Sequence, residues 1–218
     1  MPTVTLDRPW LEFDLGADMQ VLSWAVNRPG LVTARRILWR EVRNSDLPRD
    51  LDVTEWFSDE LSARNSSDAV AFLTSRDVRR HCQASAEVEG IQAHAVATVG
   101  LSNAERVGSR MDYASRNWGT INVALHVSQG LTQAGLIEAM SIAVQARTAA
   151  VMEAGVALPG GTATGTGTDC VAVAAPAGAT PYAGLHTATG EAIGKAIYQA
   201  VHAGALEWKT TNRRAADA

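Results

Sequence analysis

Residue types that can do chemistry crowd into a few short stretches, and the densest is 160–169, GGTATGTGTD, which runs into the apolar segment 170–175, CVAVAA. Glycines 160, 161, 165 and 167 carry no Cβ, so backbone amides there can turn toward a ligand. Thr164, Thr166 and Thr168 add hydroxyls between them. Asp169 places a carboxylate where this segment meets a small-residue run of the kind that forms a buried strand, a rigid anchor for a reactive group. The same letters also spell a glycine-rich turn whose Asp bonds only its own backbone. His186 stands just ahead of the last helical segment, where the positive end of the helix dipole favours a neutral imidazole, usable as a base or donor; the other reading is that it only bonds its loop. Ser102 and Asn103 follow directly on a strand, either aimed at a ligand or capping a short helix. Thr120 and Asn122 share the polar side of an alternating segment, and Glu191 falls in a helical first turn.

These groups need elements to hold them. Residues 11–15 and 19–26 read as two short strands around the turn Gly16-Ala17-Asp18, and 31–39 as a third after Pro29-Gly30, forming a meander. Trp10, Trp24 and Trp39 are assigned to packing of that sheet, with stacking on a ligand as the other reading. Helical spacing of Trp56, Phe57 and Leu61 predicts a helix over 54–64 with Thr54 as cap, followed by a short strand at 69–73 and one helical turn capped by Ser75. Alternation over 81–88 and 91–99 across Glu89-Gly90 is the clearest hairpin. Residues 120–127 alternate again. A long helix is expected over 133–154, capped by Thr132 and stopped by Gly155, and a last one over 188–203. Together these predict an α+β fold: a mixed, largely antiparallel sheet covered by helices, in one domain over 1–208, with a polar tail over 209–218.

Length and composition agree. The chain has 218 residues, 46% of them hydrophobic and 19% charged, enough to bury a core without disulfide or metal staples. Its formal net charge of −4 argues against nucleic acid as a partner. No segment has the sustained apolar content of a membrane span, and the opening MPTVTLDRPW lacks a signal-peptide pattern, so a cytoplasmic location is expected. Cys82 and Cys170 belong to no CxxC, as expected of reduced thiols. His81, His94, His126, His186 and His202 with Asp169 leave metal ligation open, although no HExxH or HxH spacing occurs, and no resident cofactor is predicted.

Four motifs occur in one order: TVGLSNA at 98–104, GTIN at 119–122, ATGTGTD at 163–169, and GLHT at 184–187 with GEAIG at 190–194. In this order and with these elements between them, the chain resembles the adenosylcobinamide amidohydrolase family. It departs at Cys170, where the family pattern has a small residue such as alanine, and at Leu185, in an otherwise more polar segment. The resemblance implies a corrinoid-salvage enzyme. Such an enzyme hydrolyses the amide between the aminopropanol arm and the corrin side chain of adenosylcobinamide, giving adenosylcobyric acid. The small-molecule corrinoid would be its partner, and the sequence leaves room for a homo-oligomer.

Amide hydrolysis needs a nucleophile, an acceptor for its proton, donors for the oxyanion and an acid for the departing amine. Asp169 and His186 are the first choice for proton transfer, with Asp169 activating water or orienting His186. The backbone at Gly165, Thr166, Gly167 and Thr168, or Asn103, would serve the oxyanion, while Ser102, Thr120, Asn122 and Glu191 are contacts for the corrin amides. Thr166, Thr168 or Ser102 as an attacking hydroxyl remains open, although no serine lies in a GxSxG context. Trp118 is a candidate to cover one face of the ring. Two other functions compete: a corrinoid-binding protein without hydrolysis, and a phosphate-binding enzyme. The second is disfavoured because the glycine-rich segment lacks GK[ST] and precedes a strand. The amidase reading requires Asp169 and His186 to converge on one hollow.

Overall fold

In a computed structural model of the chain, residues 1–48, 50–110 and 119–216 are described; Trp118 falls outside them. Strand β1 (Thr3–Asp7) pairs antiparallel with the first half of β2 (Trp10–Ser23), which pairs along its length with β3 (Gly30–Glu41). The expected turn at Gly16 does not end a strand. Gly16 takes φ +85 and the register with β3 shifts between Asp14 and Met19, so one long strand bends where two were expected. β1, which no sequence pattern announces, fills the edge of β2 below that bend.

Helix α1 (Val53–Ala63) is capped by Asp52, whose carboxylate accepts from the amides of Thr54 and Glu55, so the cap lies two residues before the expected Thr54. Phe57 and Leu61 on α1 cover Trp10, Leu38 and Ala71. β4 (Val70–Thr74) runs parallel to β3. The next turn is a 3-10 helix at Val78–Arg80 capped by Asp77, not by Ser75. β5 (Cys82–Val88) and β6 (Ile91–Val99) form the expected hairpin, with Glu89 and Gly90 both at positive φ.

After the short β7 (Ala104–Glu105), the strand β8 (Ile121–Val127) leads through α2 (Gln133–Ala154) to β12 (Cys170–Ala175), parallel to β8 and beside it. Between α2 and β12 lie three two-residue strands: β9 (Ala157–Leu158) and β10 (Gly161–Thr162) pair together, and β11 (Gly165–Thr166) pairs with β7. α3 (Ala188–Ala216) closes the chain. It continues thirteen residues past the expected end at 203, so most of the expected tail is helical. Arg76 and Arg80 both pair with its Glu207, and Lys209 donates to the carbonyl of Ala154.

Among the described residues, eight strands form one sheet in the order β4-β3-β2-β12-β8-β6-β5, with β1 beside β2. Parallel and antiparallel pairs mix, giving the α+β architecture expected. Ala93, Ala95, Ala97, Val99, Ile121, Val123, Leu125, Val171 and Val173 face α2 and α3. The other face curls on itself, so that Phe13, Ile37, Trp39 and Phe72 pack with Val96, Ala124 and Ala172. His126 belongs to this second face, 8% exposed, and burial pushes its imidazole down to about 4. Among the described residues, no helix is long and apolar enough to cross a membrane.

Candidate active site

One end of the sheet gathers the end of β6, the starts of β8 and β12, and the segments around β7 and β11. Asp169 sits there, its side chain 7% exposed, with every acceptor position occupied. Its Oδ1 accepts from the amide of Ile121 at 3.1 Å and from the hydroxyl of Thr166; its Oδ2 accepts from the amide of Thr166 at 3.0 Å and from the guanidinium of Arg147 on α2. Gly165 makes this cluster fit, because a Cβ there would collide with both Arg147 and Asp169. Burial pushes the Asp169 carboxyl up from its ordinary range, opposed by Arg147 and by the Thr166 and Ile121 hydrogen bonds.

A network surrounds that carboxylate. Thr168 donates from its hydroxyl to the Gly119 carbonyl at 2.9 Å. The Thr120 hydroxyl, with one proton, lies 2.8 Å from the Thr168 carbonyl and 3.1 Å from Asn122 Oδ1, and Asn122 donates to the Leu73 carbonyl at 2.8 Å. Asn103 is buried under Gly119, where a Cβ would meet its Oδ1 at 2.8 Å. That Oδ1 has no hydrogen-bond partner among the described residues. Ser102 is exposed beside it, in a turn rather than at a helix start.

Two hollows flank the segment from Gly165 to Asp169 and share Gly167 and Asp169. One, of 450 Å³, has apolar walls that include Trp24, Val26, Val42, Leu47 and Leu73, and a polar floor at Thr120, Asn122 and Thr168. The other, of 400 Å³, lies toward α2 and is lined by Arg106, Val107, Arg147, Thr164 and Thr166 among others. Cys170 borders the first, but burial pushes its thiol up to about 12, which keeps it protonated and unreactive.

His186 and Glu191 are not part of this cluster. The segment leading to α3 is tied to the start of α2, where the Ala183 amide donates to Glu138 at 2.7 Å. Arg147, which holds Asp169, lies nine residues further along α2, about 14 Å at the helical rise. Only further along α3, at Gly204 near its middle, does the helix reach Val99 at the Asp169 end of the sheet. β12 therefore separates the two groups, and the expected convergence of Asp169 and His186 does not occur. His186 is exposed, and Glu191 pairs on the surface with Lys195. Asn103, Thr120, Asn122, Gly165, Thr166, Gly167 and Thr168 are brought together around Asp169, with Ser102 at the margin.

Sequence reasoning missed Arg147 and put Trp24 first to sheet packing. Arg147 is a polar position within an alanine-rich helix, and its opposite number lies 22 residues on, so only the fold pairs them. Trp24 alternates like a core residue yet is 46% exposed, its indole N–H bonded to the Asp169 carbonyl at 2.7 Å. Among the described residues, no three His, Cys, Asp or Glu side chains are grouped to hold a metal ion.

The model of the adenosylcobinamide amidohydrolase family matches residues 3–213, nearly the whole chain, and the chain therefore belongs to that family. It is an amidohydrolase of adenosylcobinamide, an enzyme of cobamide salvage. No curated protein matches the chain.

Proposed function

We propose that the enzyme cleaves the amide joining the aminopropanol arm to the corrin side chain of adenosylcobinamide, releasing aminopropanol and adenosylcobyric acid, and that the Thr166–Asp169 pair performs the cleavage. The observation that carries this reading is the occupancy of Asp169. Its four acceptor positions are taken by two backbone amides, a guanidinium and one hydroxyl, and of these donors only the Thr166 hydroxyl becomes a nucleophile on giving up its proton. No position is left on Asp169 for an attacking water. In the proposed first step, Thr166 Oγ1 forms a bond to the amide carbon as its proton passes to Asp169. The oxyanion is assigned to the Gly167 backbone amide, since the Thr166 amide is held by Asp169 and the Thr168 amide by Thr166 Oγ1. Asp169 then returns the proton to the departing amine as the C–N bond breaks, leaving an ester on Thr166. Water, occupying the place the amine left, gives its proton to Asp169 and attacks that ester; the proton returns to Thr166 as the acid leaves. Burial, which raises the carboxyl, suits it to hold and release that proton, and Arg147 opposes that rise.

Incubation with adenosylcobinamide, followed by mass spectrometry, tests the reaction. The expected products are adenosylcobyric acid and free aminopropanol, and Thr166→Val is expected to lower turnover at least about 100-fold while Thr166→Ser retains measurable activity. Corrinoid binding without either product would leave the non-catalytic corrinoid-binding function standing instead. Full turnover by Thr166→Val would remove the hydroxyl from the mechanism.

A further inference from the structure

We propose that the two hollows flanking Gly167 are halves of one site: the Trp24 side receives the apolar body of the corrinoid, and the α2 side receives the amide arm, with the substrate crossing over Gly167. This rests on the amidase reading for the identity of the substrate, but its geometry stands on separate observations. Trp24 and Val26 are 46% and 56% exposed at the mouth of the 450 Å³ hollow, an apolar surface that a folded chain has no internal reason to leave open. The indole is also fixed in place, because its N–H is held by the Asp169 carbonyl, and a rigid aromatic with one satisfied polar handle binds at little entropic cost. At 450 Å³ the hollow lies at the low end for small-molecule sites, so it holds part of a macrocyclic substrate and leaves its arms to reach elsewhere.

Gly167 supplies the crossing. Its backbone does not have the positive φ that would demand glycine, and the nearest atom to an added Cβ is Glu105 Cγ at 3.9 Å. The fold therefore accepts a side chain at 167. What a side chain would obstruct is the ridge shared by the two hollows, which Gly165, needed for the Arg147–Asp169 contact, does not explain.

Steady-state kinetics with adenosylcobinamide, together with equilibrium dialysis of cobinamide, test this. Trp24→Ala is expected to raise KM about tenfold with kcat within about threefold of wild type, and Trp24→Phe, which keeps the aromatic face but loses the bond that fixes it, to raise KM less than Trp24→Ala does. Gly167→Val is expected to lower kcat/KM at least about tenfold at an unchanged melting temperature. An unchanged KM in Trp24→Ala, a loss confined to its kcat, or a fully active Gly167→Val would overturn the proposal. Dialysis separates this from the amidase reading: should wild type show no turnover, weaker cobinamide binding by Trp24→Ala supports the two-part site, and equal binding rejects it.

Discussion

At the scale of single residues, the centre of this protein is a carboxylate that is fully occupied. Asp169 was legible as a candidate because a lone acid at the junction of a glycine-threonine segment and an apolar strand is conspicuous in the sequence. Its partners were legible only in part. Thr166 lies three positions away, whereas Arg147 is 22 positions away on a helix whose apolar pattern hides it. In the sequence the glycines offer room for a ligand; at Gly165 the room is filled by the Arg147–Asp169 pair, while at Gly167 it stays open. Removing Arg147's charge tests its role. In Arg147→Met the buried carboxyl loses the cation that opposes its upward shift, so the acid limb of the kcat/KM profile is expected to move to higher pH. An unmoved limb at reduced activity would mean that Arg147 serves only packing. Gly165→Ala, which forces the pair apart, is expected to lower both activity and melting temperature.

At the scale of elements, legibility followed the strength of local signals. The boundaries of α2 were readable because Thr132 accepts from the Gly135 amide at its start and Gly155 takes φ +69 at its end, each the residue type that such a position selects. Thr132→Ala is expected to cost about 1 kcal/mol, measured by denaturant unfolding. Gly16-Ala17-Asp18 has turn composition, but pairing with β3 on both sides carries β2 through it. α3 runs past the expected end at 203 although its residues from Lys209 are mostly polar, because Arg76 and Arg80 hold Glu207 and the Ala154 carbonyl holds Lys209. β8 carries a pH dependence. His126, depressed to about 4 against an ordinary 6.5, is neutral in the fold while the unfolded chain takes up a proton below 6.5. Its contribution is therefore complete above pH 6.5 and is lost as pH falls toward 4, a loss of about 2 kcal/mol after allowing for partial solvent access. His126→Gln is expected to flatten that stretch of the stability profile; an identical acid slope in the variant would assign the loss elsewhere.

At the scale of the whole molecule, function depends on which end of the sheet each loop occupies. The crossover from β8 through α2 to β12 sends the helix back against the strands, so the segment before β12 and the segment before α3 finish at opposite ends. A chain read in order cannot show this. Two motifs only seventeen positions apart look like neighbours, and the six-residue strand between them, about 20 Å long, separates them. The α+β class, the mixed sheet and the family were within reach of the sequence; the end at which we propose the chemistry takes place was not. Placing the chemistry at the Asp169 end has one direct test, turnover of adenosylcobinamide by Asp169→Asn and His186→Ala side by side, with melting temperatures as the control for folding. Asp169→Asn is expected to lose at least about 100-fold and His186→Ala to stay within about threefold of wild type; wild-type turnover in the first, or a collapse of the second with its fold intact, would move the chemistry away from Asp169.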